Sequence, residues 1–253
     1  ARRASLPPTS IADVYEPVIT GVPPSNAFRN LIRLPDGSIR CYGYTGTVTK
    51  PSPLYIESRD GGLTWQTVPL GPEWILTDQW TVDEVISPTP GSQSPYSGDF
   101  YYLWSGPGVP LSIFRSTNGI DGPYRGTPID TRLAAMMRPP LFLTHRRRVV
   151  VATNIQCDDG IWRPAVVLSD DDGHSWRVSV VNTIDPYPIL WPHKGVRWQN
   201  RVTEPTVVEL SSGTLWMLLR TSTDVHYEAF SYDGGDTWTN PAPSPFYGTA
   251  TMP

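Results

Sequence analysis

The chain has 253 residues, with 10 Trp, 12 Tyr, 28 Pro and 21 Gly, and only 17% of its residues are charged. That profile supports a sizeable core of short strands joined by turns and excludes a disordered chain, which lacks aromatic groups to bury. A net charge of −4 provides no broad basic surface, which argues against nucleic acid as the main partner, and no apolar run is long enough to span a bilayer.

Residues 1–25 read as an N-terminal extension. The opening ARRASLPPTS has two arginines but no apolar segment of a signal peptide. A mature secreted protein would look the same, and a secreted or periplasmic location is the expectation. The first unit, 26–71, runs NLIRL, the turn PDG, SIRCYGY, PLYIES, the turn RDGG and LTWQTV. Four short strands with glycine-centred hairpins are the content of one propeller blade. In the second unit, 72–130, FYYLWSG and LSIFRS are the clear strands; its first strand is sought in TDQWTVDE, 77–84, and SPYSGDFYYLW, 94–104, on its rim. The third unit, 131–182, runs PLFLT, RVVVATN, RPAVVLS and HSWRVSV, with the basic run His145 to Arg148 as a solvated turn. WPHKGVRW, 191–198, precedes the fourth unit, and its two tryptophans either stack on a sugar ring or pack the loop. The fourth unit, 200–245, runs TVVEL, SSG, TLWMLLR, HYEAFS and DGGDTW, and TATMP reads as the start of a fifth. Cys41 and Cys157 fall in non-adjacent units, so two buried thiols are expected rather than a disulfide. No metal-ligand spacing and no phosphate or dinucleotide fingerprint is present, so neither metal nor cofactor is expected.

One octapeptide recurs between the third and fourth strands of each unit. It reads SRDGGLTW at 58–65, SDDDGHSW at 169–176 and SYDGGDTW at 231–238. A worn copy, STNGIDGPY at 116–124, keeps Ser116, puts Asn118 at the aspartate position and ends in Tyr124. Asp60, Asn118, Asp171 and Asp233 stand 58, 53 and 62 residues apart, a period that points to propeller blades. Asp and Asn bond nearby amides in turns, Gly takes the positive φ, and Trp65, Trp176 and Trp238 fold their apolar faces between sheets. Chemistry has no use for the same residues four times around a ring. These motifs are structural.

In an up-and-down blade, the loop joining strands one and two lies on the same face as the loop joining strands three and four. The octapeptides therefore mark one face, and a pocket belongs at the other. First-strand starts on that other face give Arg29, Arg138 and Glu204, with Asp78 and Asp83 as the second unit's candidates. Arg220 ends the second strand of the fourth unit, across the hairpin from Glu204, and His226 follows on the same side. Guanidinium groups bind carboxylates through paired bonds, so the set suits recognition of an anion. Ion pairs that merely close the face explain the same residues equally well, and His226 is either a substrate contact or a bystander.

The S-x-D-x-G-x-x-W repeats resemble the Asp boxes of the sialidase superfamily. EPTVVELSSGTLWMLLRT, 204–221, is similar to the segment that carries that family's catalytic glutamate and a substrate arginine. AFRNLIRLPDG, 27–37, resembles the F-R-I-P segment but has Asn-Leu after Arg29 where Ile-Pro is usual. The resemblance implies an all-β, six-bladed propeller, of which about four blades and the start of a fifth are read here. It also implies an exo-acting, retaining glycosidase whose partner is a glycan ending in an acidic sugar. Arg29 and Arg220 would then hold the sugar carboxylate, with Arg138 and His226 as further substrate candidates. Glu204 would serve as base to a tyrosine nucleophile, and Asp78 or Asp83 as acid/base. The third arginine and the tyrosine would follow Pro253. A lyase or glycosidase for another acidic sugar, or a non-catalytic carbohydrate-binding propeller, fits the same segments.

Overall fold

The computed structural model describes residues 28–44, 51–69, 92–106, 109–120, 124–135, 139–184, 201–221 and 225–247, and its regular structure there is β-strand throughout. Four antiparallel sheets follow one another along the chain. The first is β1 (Phe28–Arg33), β2 (Ile39–Tyr44), β3 (Pro51–Ser58) and β4 (Gln66–Pro69). The second is β5 (Ser92–Gln93), β6 (Phe100–Gly106), β7 (Val109–Ser116) and β8 (Arg125–Asp130). In the third, the inner strand is split into β9 (Leu133–Ala135) and β10 (Leu141–Phe142). Both pair with β11 (Val149–Gln156), which is followed by β12 (Trp162–Ser169) and β13 (Arg177–Val180). The fourth is β14 (Thr203–Glu209), β15 (Leu215–Arg220), β16 (Val225–Ser231) and β17 (Ala242–Tyr247). No helix is long and apolar enough to cross a membrane.

The sheets pack face to face in chain order because their central strands carry apolar side chains on both faces. Along β6 the side chains alternate. Phe100 and Tyr102 join Ile32, Tyr42 and Tyr55 of the first sheet, while Tyr101 joins Val151, Ile155 and Val167 of the third. The third sheet repeats the device: Val150, Val166 and Leu168 turn the other way, to Leu215, Met217 and Leu219 of the fourth. A strand with one wet face would alternate apolar with polar; β11 instead is buried from Val149 to Ile155. This is blade-on-blade packing.

The three intact boxes share one hydrogen-bond pattern. In the first, Ser58 Oγ donates to Asp60 Oδ1 at 2.8 Å and accepts from the Gly62 amide at 2.8 Å. Asp60 also accepts from the Thr64 amide at 2.9 Å, and the Trp65 indole N–H donates to the Gly62 carbonyl at 3.0 Å. Ser169, Asp171, Gly173, Ser175 and Trp176 repeat it, as do Ser231, Asp233, Gly235, Thr237 and Trp238. In the worn copy Ser116 Oγ donates instead to the Gly119 carbonyl at 2.8 Å, and the buried Tyr124 hydroxyl donates to the Ile120 carbonyl. Two successive residues of each intact box have positive φ. They are glycines except at Asp172, at +55°, whose carboxylate Oδ1 accepts from Ser94 Oγ of the second sheet at 2.8 Å.

Several local expectations need correction. Arg148 is not part of a solvated turn: its side chain is only 2% exposed and its guanidinium bonds Asp170, Asp236 and the Gly234 carbonyl. His145 to Arg147 are exposed as expected. SPYSGD forms the β5–β6 turn, and the Tyr96 hydroxyl donates to the Leu143 carbonyl of the third sheet at 2.5 Å. Cys41 is buried, which pushes its thiol up to about 11, whereas Cys157 is only half-buried; neither is in a disulfide. The tryptophan pair at 191 and 198, the segment 77–84 and TATMP lie outside the described residues.

Candidate functional site

The two ends of the sheet stack differ in chemistry. At the box end, each box hairpin from the third sheet onward grips the preceding sheet. Tyr101 of β6 donates to the Asp172 carbonyl at 2.6 Å, and Arg146 donates to the Asp233 carbonyl at 2.6 Å. Glu209, at the end of β14, accepts from the Thr144 amide at 2.6 Å and from its hydroxyl at 2.8 Å. Burial of the Glu209 carboxyl opposes ionisation, but these bonds outweigh it and hold the group below the usual carboxylate range.

Glu204 and Arg220 stand at the other end of the same hairpin. The turn at 210–214 sends β15 back antiparallel, and Arg220 is its last residue. Simple pairing would put Glu204 opposite Arg220. The register instead slips by one between Thr206 and Thr203, so Thr203 faces Arg220 and Glu204 sits in the bulge with Pro205. Pro205 has no N–H for the ladder, and Glu204 adopts φ +49°, a left-handed conformation that costs about 1–3 kcal/mol and tends to mark functional sites. Its amide donates instead to Asn154 Oδ1 on β11 of the third sheet, at 3.2 Å. Despite the bulge, the side chains meet: Arg220 Nη1 donates to Oε1 at 2.7 Å and to Oε2 at 2.6 Å. The pair is partly open to solvent, at 14% for Glu204 and 20% for Arg220.

His226 belongs to β16 and not to a loop. Leu219 pairs with Tyr227, so His226 stands beside Arg220 at this end. It is 7% exposed, and its Nδ1 has no hydrogen-bond partner among the described residues. The inner strands of the first and third sheets are also irregular at the candidate positions. Arg29 lies where β1 shifts register between Phe28 and Asn30. Arg138 lies between the two pieces of the third inner strand, outside the described residues, as do Asp78 and Asp83. Of Arg29 only the backbone is described. Among the described residues, then, the site is Glu204, Arg220, His226 and Asn154. Asn154 was not singled out by sequence reasoning, because a mid-strand asparagine in VVVATN carries no signal until the fourth sheet is packed against it. No group of three or more His, Cys, Asp or Glu among the described residues is placed to hold a metal ion.

Chemically, this is a carboxyl group fixed by a guanidinium on a strained bulge, with an imidazole alongside. Such a group can take a proton from a neighbouring acid or join its arginine in holding a polar ligand.

The family model described as a BNR repeat-like domain matches residues 122–249. Among solved structures, the Hadza microbial sialidase Hz136 matches with a TM-score of 0.61 at 14% identity, over 89% of this chain and 48% of that one. The NanB sialidase from Streptococcus pneumoniae matches with a TM-score of 0.56 at 13% identity, over 94% of this chain and 55% of that one. For the intramolecular trans-sialidase from Ruminococcus gnavus the TM-score is 0.53 at 13% identity, over 87% of this chain and 71% of that one. The chain thus spans about half the length of the first two. No curated protein sequence matches it significantly. Identities this low carry the fold and not the activity. The family match covers just over half of the chain, and on that ground the chain belongs to the BNR repeat-like domain family, folded as the β-propeller of the sialidases.

Proposed function

We propose that this propeller belongs to an exo-acting, retaining glycosidase that removes a terminal acidic sugar from glycans in a secreted or periplasmic setting. The observation that carries the reading is the Glu204–Arg220 pair on a left-handed bulge at the end away from the boxes. Strain of that kind is unnecessary for a plain ion pair, which a regular ladder would hold as well. In this reading Glu204 takes the phenolic proton of a tyrosine as the tyrosine oxygen bonds the anomeric carbon. An aspartate, Asp78 or Asp83, protonates the departing glycosidic oxygen. Arg220, with Arg29, holds the sugar carboxylate, and Arg138 and His226 are further contacts.

The test is hydrolysis of a fluorogenic sialoside by the full-length natural protein. Glu204→Gln is expected to lower kcat by on the order of a hundredfold or more while ground-state binding persists. Arg220→Lys is expected to cost roughly tenfold to a hundredfold in kcat/KM, since an ammonium cannot reproduce the guanidinium's fork. Wild-type turnover that Glu204→Gln leaves intact sinks the catalytic role. Binding of the sialoside with no turnover in the wild type favours a carbohydrate-binding module instead.

A further inference from the structure

At the box end, between the second and third sheets, lies a cleft of about 440 Å³. Arg115, Arg125 and His174 line it, with Thr117, Asn118 and Thr127 between them. Among the described residues no carboxylate lines it, although the chain as a whole carries a net charge of −4.

Two differences from the first sheet produce that local sign. In the first sheet Arg40, on the second strand, pairs with Glu57, which stands just before the box serine at the end of the third. The second sheet reverses the pair. Asp99 precedes β6, and Arg115 stands just before Ser116, where the first sheet has Glu57 before Ser58. The other departure is Asn118, which replaces the box aspartate. A guanidinium and a neutral amide therefore occupy positions that carry two carboxylates, Glu57 and Asp60, in the first sheet.

Asp99 holds Arg115 through Nε, and Arg115 Nη1 reaches His174 Nε2 at 2.9 Å. Arg125 is exposed and has no carboxylate partner among the described residues. The cleft wall at Gly173 is held tightly. A Cβ there would come within 2.6 Å of the Tyr101 hydroxyl, which is itself bonded to the Asp172 carbonyl. The remaining lining is hydroxyl and amide, which suits sugar hydroxyls and offers little to an apolar ligand.

We propose that this cleft is a second ligand site, separate from the Glu204–Arg220 end, and that it takes the carboxylate or sulfate of an acidic saccharide between Arg115, Arg125 and His174. On this assignment the worn box is an adaptation to binding and not a decayed turn.

The experiment is titration of the isotope-labelled full chain with 3′-sialyllactose, a sulfated lactose, lactose and inorganic sulfate, followed by amide shifts. One or both acidic saccharides are expected to shift Thr117, Thr127 and Gly173, and the carboxylate and sulfate arms tell which oxyanion is preferred. Arg125→Glu and Asn118→Asp are each expected to raise Kd roughly tenfold or more, the scale of one charge-assisted contact. Arg220→Ala is expected to leave these shifts unchanged, which separates this site from the proposed catalytic one. Shifts lost in Arg220→Ala but kept in Arg125→Glu overturn the proposal, as does equal binding of lactose. Inorganic sulfate binding as tightly as the saccharides overturns the saccharide assignment, and no shift with any probe overturns the site altogether. Since Arg125 is exposed, its variant is expected to fold; if it does not, His174→Ala with the same readout replaces it.

Discussion

Arg148 shows how one side chain joins two blades. Its Nε donates to Asp170 Oδ1 at 2.6 Å within its own sheet, while Nη1 donates to the Gly234 carbonyl and Asp236 Oδ2 of the next, both at 2.9 Å. Only a planar group with several fixed donors serves carboxylates and a carbonyl in different directions at once. Bonds to charged groups that are buried on one side are worth about 1.5–3 kcal/mol. Arg148→Ala is therefore expected to lower unfolding stability by about 2–3 kcal/mol in urea denaturation, since it also strands the Gly234 carbonyl. Arg148→Lys should recover less than half of that, and full rescue by lysine would show that charge alone matters here. The exposed neighbour Arg147, truncated to Ala, is expected to change stability by less than about 0.5 kcal/mol.

At the scale of the element, the boxes make the protein sensitive to acid. Burial of Asp171 and Asp233 opposes their ionisation, but bonds from Ser175 and Thr237, with others, outweigh it and bring both carboxyls down to about 2. Asp60 also falls to about 2, chiefly through Thr64. In the unfolded chain these groups titrate near pH ~3.9. As pH falls from about 4 towards 2, the unfolded chain takes up protons that the folded boxes refuse, so stability complete above that window is lost through it. Urea midpoints measured across the window are expected to fall with acid. Asp233→Asn should lower stability at neutral pH by about 1 kcal/mol and flatten the decline, because an amide keeps one acceptor but not the charge. A variant with the same acid slope as the parent would place the proton uptake elsewhere. Asn118 is a built-in control: at the box aspartate position the second box has an amide, which takes up no proton in this window.

At the scale of the whole molecule, stability resides between sheets. Each apolar cluster draws on two consecutive sheets, so no blade completes a core by itself. Met217, fully buried on β15, packs with Val150 and Leu168 of the third sheet. Met217→Ala is expected to cost about 2–5 kcal/mol. The loss should appear in the unfolding of both the third and fourth sheets, read separately from Trp176 and Trp238 through single-tryptophan variants. If only the Trp238 signal moves, the two blades unfold independently. Leu63, on a box turn and 58% exposed, should tolerate alanine with little change.

The repeat was legible in the sequence because it is local. A box closes its hydrogen bonds within eight residues, and alternation along a strand shows which side chains are buried without reference to any partner. The Glu204–Arg220 pair was legible for the same reason, since one hairpin brings the two together. What the chain could not show by itself was everything that depends on the next sheet. Arg148 looks like one of several turn cations until the fourth sheet's box is laid over it, and Asn154 looks like any strand residue until Glu204 turns its amide towards it. The bulge at Glu204 and Pro205 shifts the pairing by one residue, which no symmetric count across the turn anticipates. The cleft at Arg115 and Arg125 takes part of its lining, Gly173 and His174, from a different repeat. Local hydrogen bonding and strand alternation were written in residue order; the contacts between blades were decided by packing, because their partners stand fifty or more residues apart in sequence.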